Sequence, residues 1–271
     1  MAKFALITLL SIFSTNNPVL SHGAASIPPS RQYLCSGGAS PNAGVQWNGA
    51  QGPSICSPSH HNQKGNGDIN TVVTDWSGVG LGNAKGQRNK ESYKKDPRQN
   101  HVNAMGGFDS PICSANIDKY SALDNSDWAK SEINENNDGE TTIPDSYQQR
   151  NSITTYPYKM KIGWSTFQFK SSAVHKTVSN GYVDCYLTKK EVSPKNKVLT
   201  WNDLEDQPFC RFNSDQGHPK PMTDFRKNVN EWDCYIPEDR AGDAAVVFMV
   251  WQRHDSDEAF YGCSDVIFDN N

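Results

Sequence analysis

Residues 244–251 read Ala-Ala-Val-Val-Phe-Met-Val-Trp, an unbroken apolar run with polar residues on both sides. Eight residues are short for a core helix and right for a strand. A run that is apolar at every position, not every second one, suits a strand buried within a sandwich. A polar loop leads from it into a second strand segment, Phe260 to Phe268. Upstream, between Tyr158 and Lys190, residues alternate: Lys161, Gly163, Ser165, Phe167 and Phe169 fall against Ile162, Trp164, Thr166 and Gln168. Asn180-Gly181 then marks a turn, and Tyr182 to Thr188 a further strand. Short strands punctuated by turns predict an all-β fold, an immunoglobulin/fibronectin-III-like antiparallel sandwich.

Residues 36–149 are different, rich in Gly, Asn, Ser and Lys with little periodicity. A structureless connection of that length is unusual inside a compact domain, so short helices and covalent staples are expected within it. Residues 85–110 read as its most mobile part. No internal repeat is present, and Asn271 follows the last strand segment almost at once. One domain is the economical reading, with no separate carbohydrate-binding module.

The first residues read as an export signal. Lys3 supplies the positive start and Phe4 to Phe13 an apolar stretch too short to span a bilayer. Val19 and Ser21 are small enough for signal peptidase to cut before His22. The expected products are a signal peptide, 1–21, and a secreted, extracellular chain, 22–271. Cleavage takes the formal charge from −4 to −5, leaving 25 cations against 30 acids. Nothing in that balance calls for nucleic acid or an anionic membrane. A monomer is expected. In an exported protein an even subset of the seven cysteines forms disulfides and one thiol is left over. Val183, Cys185 and Leu187 alternate onto one apolar strand face, which makes Cys185 the odd one, a small inert core residue.

A histidine at a new N-terminus offers its α-amine and ring Nδ1 for chelation of one metal. The amine's ordinary pKa, about 7.7–8.0, lets a metal displace its proton near neutrality. One further imidazole completes a planar set of three nitrogens, which suits copper better than tetrahedral zinc. Of the other histidines, His60 and His61 are adjacent and point apart in extended chain. His101, His218 and His254 read as surface residues.

Five segments carry a family resemblance: His22-Gly-Ala-Ala-Ser-Ile-Pro-Pro-Ser-Arg-Gln-Tyr-Leu-Cys35; Ser172-Ala-Val-His175-Lys-Thr with its following strand; Gln207-Pro-Phe-Cys210-Arg-Phe; Cys234-Tyr-Ile-Pro-Glu-Asp-Arg-Ala-Gly; and Trp251-Gln-Arg-His-Asp255-Ser-Asp-Glu-Ala-Phe260-Tyr-Gly-Cys263-Ser-Asp-Val. In this order they resemble the bacterial-type, auxiliary-activity family ten lytic polysaccharide monooxygenases, also known as chitin-binding proteins. The likeness is weakest in residues 57–110.

The resemblance implies one copper ion held by His22 and His175. It puts Phe260 on the axial side and Glu258 near the open coordination position. Ala173 would shape access to the axial face, and Trp251 would pack beneath the metal. Ser172 and Asp255 map near a flat binding face, where Trp47 is the best aromatic platform for a sugar ring. It also favours the pairs Cys35–Cys56, Cys113–Cys263 and Cys210–Cys234, which spacing alone does not fix. The implied activity is oxidative cleavage, at C1, of crystalline chitin, or of cellulose, with an external reductant and hydrogen peroxide or dioxygen. The alternatives are a non-catalytic chitin-binding, adhesion or defence protein, and a copper carrier.

Overall fold

The computed structural model describes residues 23–36, 56, 69–81, 97–126, 128, 156–171, 182–213, 229–253 and 258–269. In chain order the described strands are β1 (Gly23–Ile27), β2 (Gly80–Leu81), β3 (Tyr158–Lys161), β4 (Gly163–Ser171), β5 (Tyr182–Leu187), β6 (Cys210–Asn213), β7 (Val229–Ile236), β8 (Ala244–Gln252) and β9 (Ala259–Asp269). They make two sheets. The smaller has the order β1-β4-β7 and the larger β2-β9-β8-β5-β6, with β3 also on β9. Every pairing is antiparallel except β3 with β9, which is parallel. The architecture is the expected immunoglobulin/fibronectin-III-like sandwich.

The apolar run of β8 has a specific cause: the strand is covered on both faces. Ala245, Val247, Met249 and Trp251 face the smaller sheet and pack with Phe167, Phe169 and Trp232. Val246, Phe248 and Val250 point the other way. There they meet a layer built from the long connection between β1 and β3. That layer holds the helices α1 (Arg31–Ser36), α2 (Ile69–Thr74) and α3 (Pro97–Met105), and a 3-10 segment at Asp118–Asp124. Leu34, Ile69, Val102, Met105, Leu123 and Trp128 from this layer are all buried. Period-2 alternation fails on β8 because neither face sees water.

Two covalent staples hold the layer down. Cys35–Cys56 closes the segment after α1, and Cys113–Cys263 fixes the far part of the connection to β9. The third bridge, Cys210–Cys234, joins β6 of the larger sheet to β7 of the smaller. These are the pairs the resemblance implies. Cys185 is the free cysteine, fully buried on the inner face of β5, and burial pushes its thiol well above the usual range. An ionised, reactive sulfur is disfavoured there.

Two expectations are corrected. The alternating segment that starts at Tyr158 is not one strand: β3 lies in the larger sheet and β4 in the smaller. The chain changes sheets at Ile162-Gly163, where Gly163 adopts φ +80°, a conformation that a side chain would strain. Nor is 85–110 a uniformly mobile stretch. Residues 82–96 lie outside the described residues, but 97–105 form α3, with His101, Val102 and Met105 buried against the core. Among the described residues no helix is long and apolar enough to cross a membrane.

Candidate functional site

β1 and β4 pair in a register that sets Gly23 opposite Ser171. Gly23 directly follows His22, and Ser171 directly precedes Ser172, so the two segments expected to bear metal ligands leave the sheet from facing positions. The fit is close: a Cβ on residue 23 would lie 2.3 Å from the Phe169 ring. Only glycine leaves room for that ring without displacement.

Phe169 continues the contact inward. Its ring centroid is 4.9 Å from that of Trp251, and Trp251 lies 5.3 Å from Phe260. Trp251 and Phe260 are cross-strand partners on β8 and β9, and both are almost wholly buried. Gly80 of β2 sits against the other edge of β9. A Cβ there would come within 2.6 Å of both the Phe260 ring and the Ala259 carbonyl. Gly23, Phe169, Trp251, Phe260 and Gly80 therefore form one continuous packed cluster between the sheets. Cross-strand aromatic pairs of this kind add roughly 0.5–1.5 kcal/mol beyond burial and fix ring positions.

Glu258 immediately precedes β9, two residues before Phe260, and its carboxylate is paired with the Arg253 guanidinium. The loop between them is closed at its base. The Arg253 N–H donates to the Glu258 carbonyl at 3.1 Å, and Gln252 Nε2 donates to the same carbonyl at 3.0 Å. The side chains of Arg253 and Glu258 are 9% and 17% exposed, enough shielding to make the ion pair a positioning contact. Sequence reasoning missed Arg253 as the partner of Glu258. The signal was available in its place six residues ahead of Ala259, at the other end of a short hairpin.

His101 departs most from expectation. It is not a surface residue but completely buried. Its Nδ1 lies 3.0 Å from the Tyr261 hydroxyl and its Nε2 2.7 Å from the Tyr182 hydroxyl, and its ring stacks on Trp201. Burial, with a smaller contribution from the Arg211 cation, pushes its pKa down to about 3. A neutral imidazole donates from one nitrogen and accepts at the other, so it satisfies both phenols at once. His101 is a core cross-link from α3 to β5 and β9.

His22, His175, Ser172, Ala173, Trp47 and Asp255 lie outside the described residues, as do His60, His61, His218 and His254. Among the described residues no three His, Cys, Asp or Glu side chains gather to hold a metal.

A family model described as "lytic polysaccharide mono-oxygenase, cellulose-degrading" matches residues 22–266. The chitin-binding protein CbpD of Pseudomonas aeruginosa is 29% identical over 276 residues, covering 98% of this chain and 52% of that protein. The chain thus spans about half the length of that curated relative. A lytic cellulose monooxygenase of Streptomyces ambofaciens is 41% identical over 91 residues, 31% of this chain and 21% of that protein. Among solved structures, the cellulose-active monooxygenase CelS2 in complex with copper superposes with TM-score 0.52 at 25% identity, covering 92% of this chain and all of that one. An AA10 enzyme from Photorhabdus luminescens has TM-score 0.52 at 20% identity, with the same coverage, a likeness of fold. This chain belongs to the lytic polysaccharide monooxygenase family, in its AA10 branch.

Proposed function

We propose that residues 22–271 form a secreted, copper-dependent lytic polysaccharide monooxygenase that cleaves chitin, or cellulose, oxidatively at C1, and that residues 1–21 are an export signal. The observation that carries this reading is the Gly23–Ser171 pairing next to the Phe169–Trp251–Phe260 cluster. His22 is bonded to Gly23. His175 lies four residues beyond Ser171, within at most about 14 Å of it along the chain. The α-amine and two imidazoles would make a three-nitrogen donor set of the kind copper takes.

The described surroundings fit such an ion. Phe260 offers no donor atom and is packed between Trp251 and Gly80, so it would present a fixed apolar ring to such an ion without ligating it. Bound copper, cycled by an external reductant, supplies the one-electron activation of hydrogen peroxide or dioxygen that C–H oxidation needs. The chain's own part is to position and to move protons. Arg253 holds the Glu258 carboxylate, and that carboxylate would accept or deliver a proton beside the reacting sugar carbon. Trp251 and Phe169, in ring contact at 4.9 Å between the sheets, would keep solvent from the inner side of the proposed site. Ser172, Ala173, Asp255 and Trp47 complete the proposal as residues of the access path and the polysaccharide-facing surface.

A second reading, binding without catalysis, is favoured by one comparison: the relative CbpD is named for binding chitin. One experiment separates the two. The processed protein is incubated with β-chitin and with cellulose, copper and ascorbate, and the soluble fraction is analysed by mass. Aldonic-acid oligomers that require both copper and reductant support the enzyme. Adsorption with no oxidised product on either polymer supports the binding protein.

A further inference from the structure

The smaller sheet has a mostly polar outer face, covered at one end by α1 and at the other by none of the described residues. Near Ala24 and Lys170 it lies beneath α1, where the Lys170 ammonium sits 5.7 Å from the Tyr33 ring centroid. Toward the start of β4 nothing described lies over it. Here Trp164 of β4 and Tyr235 of β7 are cross-strand partners, with ring centroids 5.6 Å apart in an edge-to-face contact. They are 61% and 43% exposed, among the few large hydrophobic side chains of the described residues left in water. The next rungs are polar: Thr166 donates to Asp233 at 2.8 Å, and Gln168 donates to Glu231 at 2.8 Å. Tyr235 also donates to Glu238 at 3.1 Å. The strip carries two exposed rings followed by a row of amide, hydroxyl and carboxylate groups.

We propose that this strip is a second polysaccharide-binding site, separate from the copper end, for a neutral β-linked glucosyl or N-acetylglucosaminyl chain. The proposal rests on the polysaccharide reading above. The C–H face of a pyranose stacks on an aromatic ring, and its hydroxyls donate to carboxylates and amides, so two rings followed by a row of acceptors match one sugar chain laid along the strip. A second copy of this protein fits poorly. Even fully covered, one Trp and one Tyr contribute roughly 300–500 Å², against about 800 Å² per partner in a stable interface. Two such faces would also oppose Glu231, Asp233 and Glu238 to themselves. The same carboxylates disfavour an anionic polymer.

Trp164 is seven residues from Ser171 along β4, about 23 Å from the end of the strand that bears the candidate copper site. A sugar chain held here would therefore not compete with one at that end. The role is retention: a second weak contact raises the local concentration of the polymer at the first.

The test compares wild type, W164A/Y235A and W164F/Y235F, each copper-loaded, for adsorption to β-chitin and to microcrystalline cellulose. The alanine pair should lower the partition coefficient about tenfold, an interaction of roughly 1.4 kcal/mol, with oxidised product per adsorbed protein unchanged. The phenylalanine pair should stay within about threefold of wild type, because a stacking surface remains. On wild-type protein, hydroxyl-radical footprinting on β-chitin should show Trp164 and Tyr235 protected, a readout independent of the variants' folding. Wild-type adsorption that the alanine pair leaves intact, or rings that stay fully reactive on chitin, would overturn the second site and spare the enzymatic reading. A wild type that neither adsorbs to nor oxidises either polymer would overturn both.

Discussion

Arg31 and Asp265, 234 residues apart in the chain, share two hydrogen bonds of 2.8 and 2.7 Å where each side chain is 2% exposed. Arg31 stands at the first position of α1 and Asp265 in the middle of β9. The Tyr156 hydroxyl donates to the same carboxylate, and Arg31 also donates to the Leu123 carbonyl at 2.6 Å. One buried cation thus ties the N-terminal segment, the long connection and the last strand together.

Removing one partner leaves the other charged, buried and unpaired. D265N should therefore destabilise the protein by about 3–5 kcal/mol. The double variant R31M/D265L, which removes both charges, should lose distinctly less. Denaturant unfolding with the disulfides intact decides it; equal losses would show that the pair acts through shape and not through charge.

His101 makes stability depend on pH. Its folded pKa is about 3, against about 6.5 when unfolded, so between those values the unfolded chain binds the extra proton. Stability from this residue is complete above pH 6.5 and falls as pH drops toward 3, by roughly 4–5 kcal/mol over the whole window. H101Q can still donate and accept but does not titrate. Its unfolding free energy should fall less steeply than that of wild type between pH 6.5 and 3, and parallel curves would refute the assignment.

The legible part of this fold follows from patterning. Eight consecutive apolar residues made β8, and Val183, Cys185 and Leu187 on one face gave both β5 and the spare thiol. His101 was misread because it stands in a mostly polar stretch with Asn100 and Asn103, while the groups that bury it come from Tyr182, Trp201 and Tyr261. Partners 81–160 residues away leave no local trace. The break at Gly163 was hidden for a related reason: alternation continues across it while the sheet changes. At the site, the motifs singled out Phe260, Trp251 and Glu258. The supporting contacts from Phe169, Gly23, Gly80 and Arg253 depend on register, which periodicity does not encode.

Gly23 offers a direct check on the candidate metal end. Because its missing Cβ makes room for the Phe169 ring, G23A must shift β1 or that ring. Overpacking of this kind costs about 1–3 kcal/mol, and it should lower copper affinity at least tenfold by moving the residue that follows the terminal amine. Adding F169L should recover part of both losses. Calorimetric copper titration of the single and double variants measures the coupling; additive effects would show that the contact does not position the terminus.

The Arg253–Glu258 pair separates chemistry from binding. E258Q keeps the shape and removes the proton acceptor, so product formation should fall about 10²-fold, within the range typical of general acid–base groups. R253Q, which frees the carboxylate from its positioning contact, should cause a smaller loss of rate. Adsorption to chitin should stay close to wild type in both. A large drop in adsorption with turnover per bound molecule unchanged would move Glu258 from proton transfer to substrate contact.

The last prediction concerns the terminus itself. Gly23 is paired with Ser171, and the amine of the residue before it is the proposed third copper nitrogen. A protein retaining Ser21 ahead of His22 would carry an amide nitrogen where the amine should be, and an amide nitrogen does not displace its proton for a metal near neutrality as an amine does. Copper affinity should fall by several orders of magnitude, as it should in H175A, which keeps the amine and loses one imidazole. The two losses should not add, because each leaves the other donors unable to complete one coordination set. Copper titration of the extended form, H175A and the combination, with unfolding curves matched between them, provides the measurement. Wild-type affinity in the extended form would show that the α-amine is not a ligand.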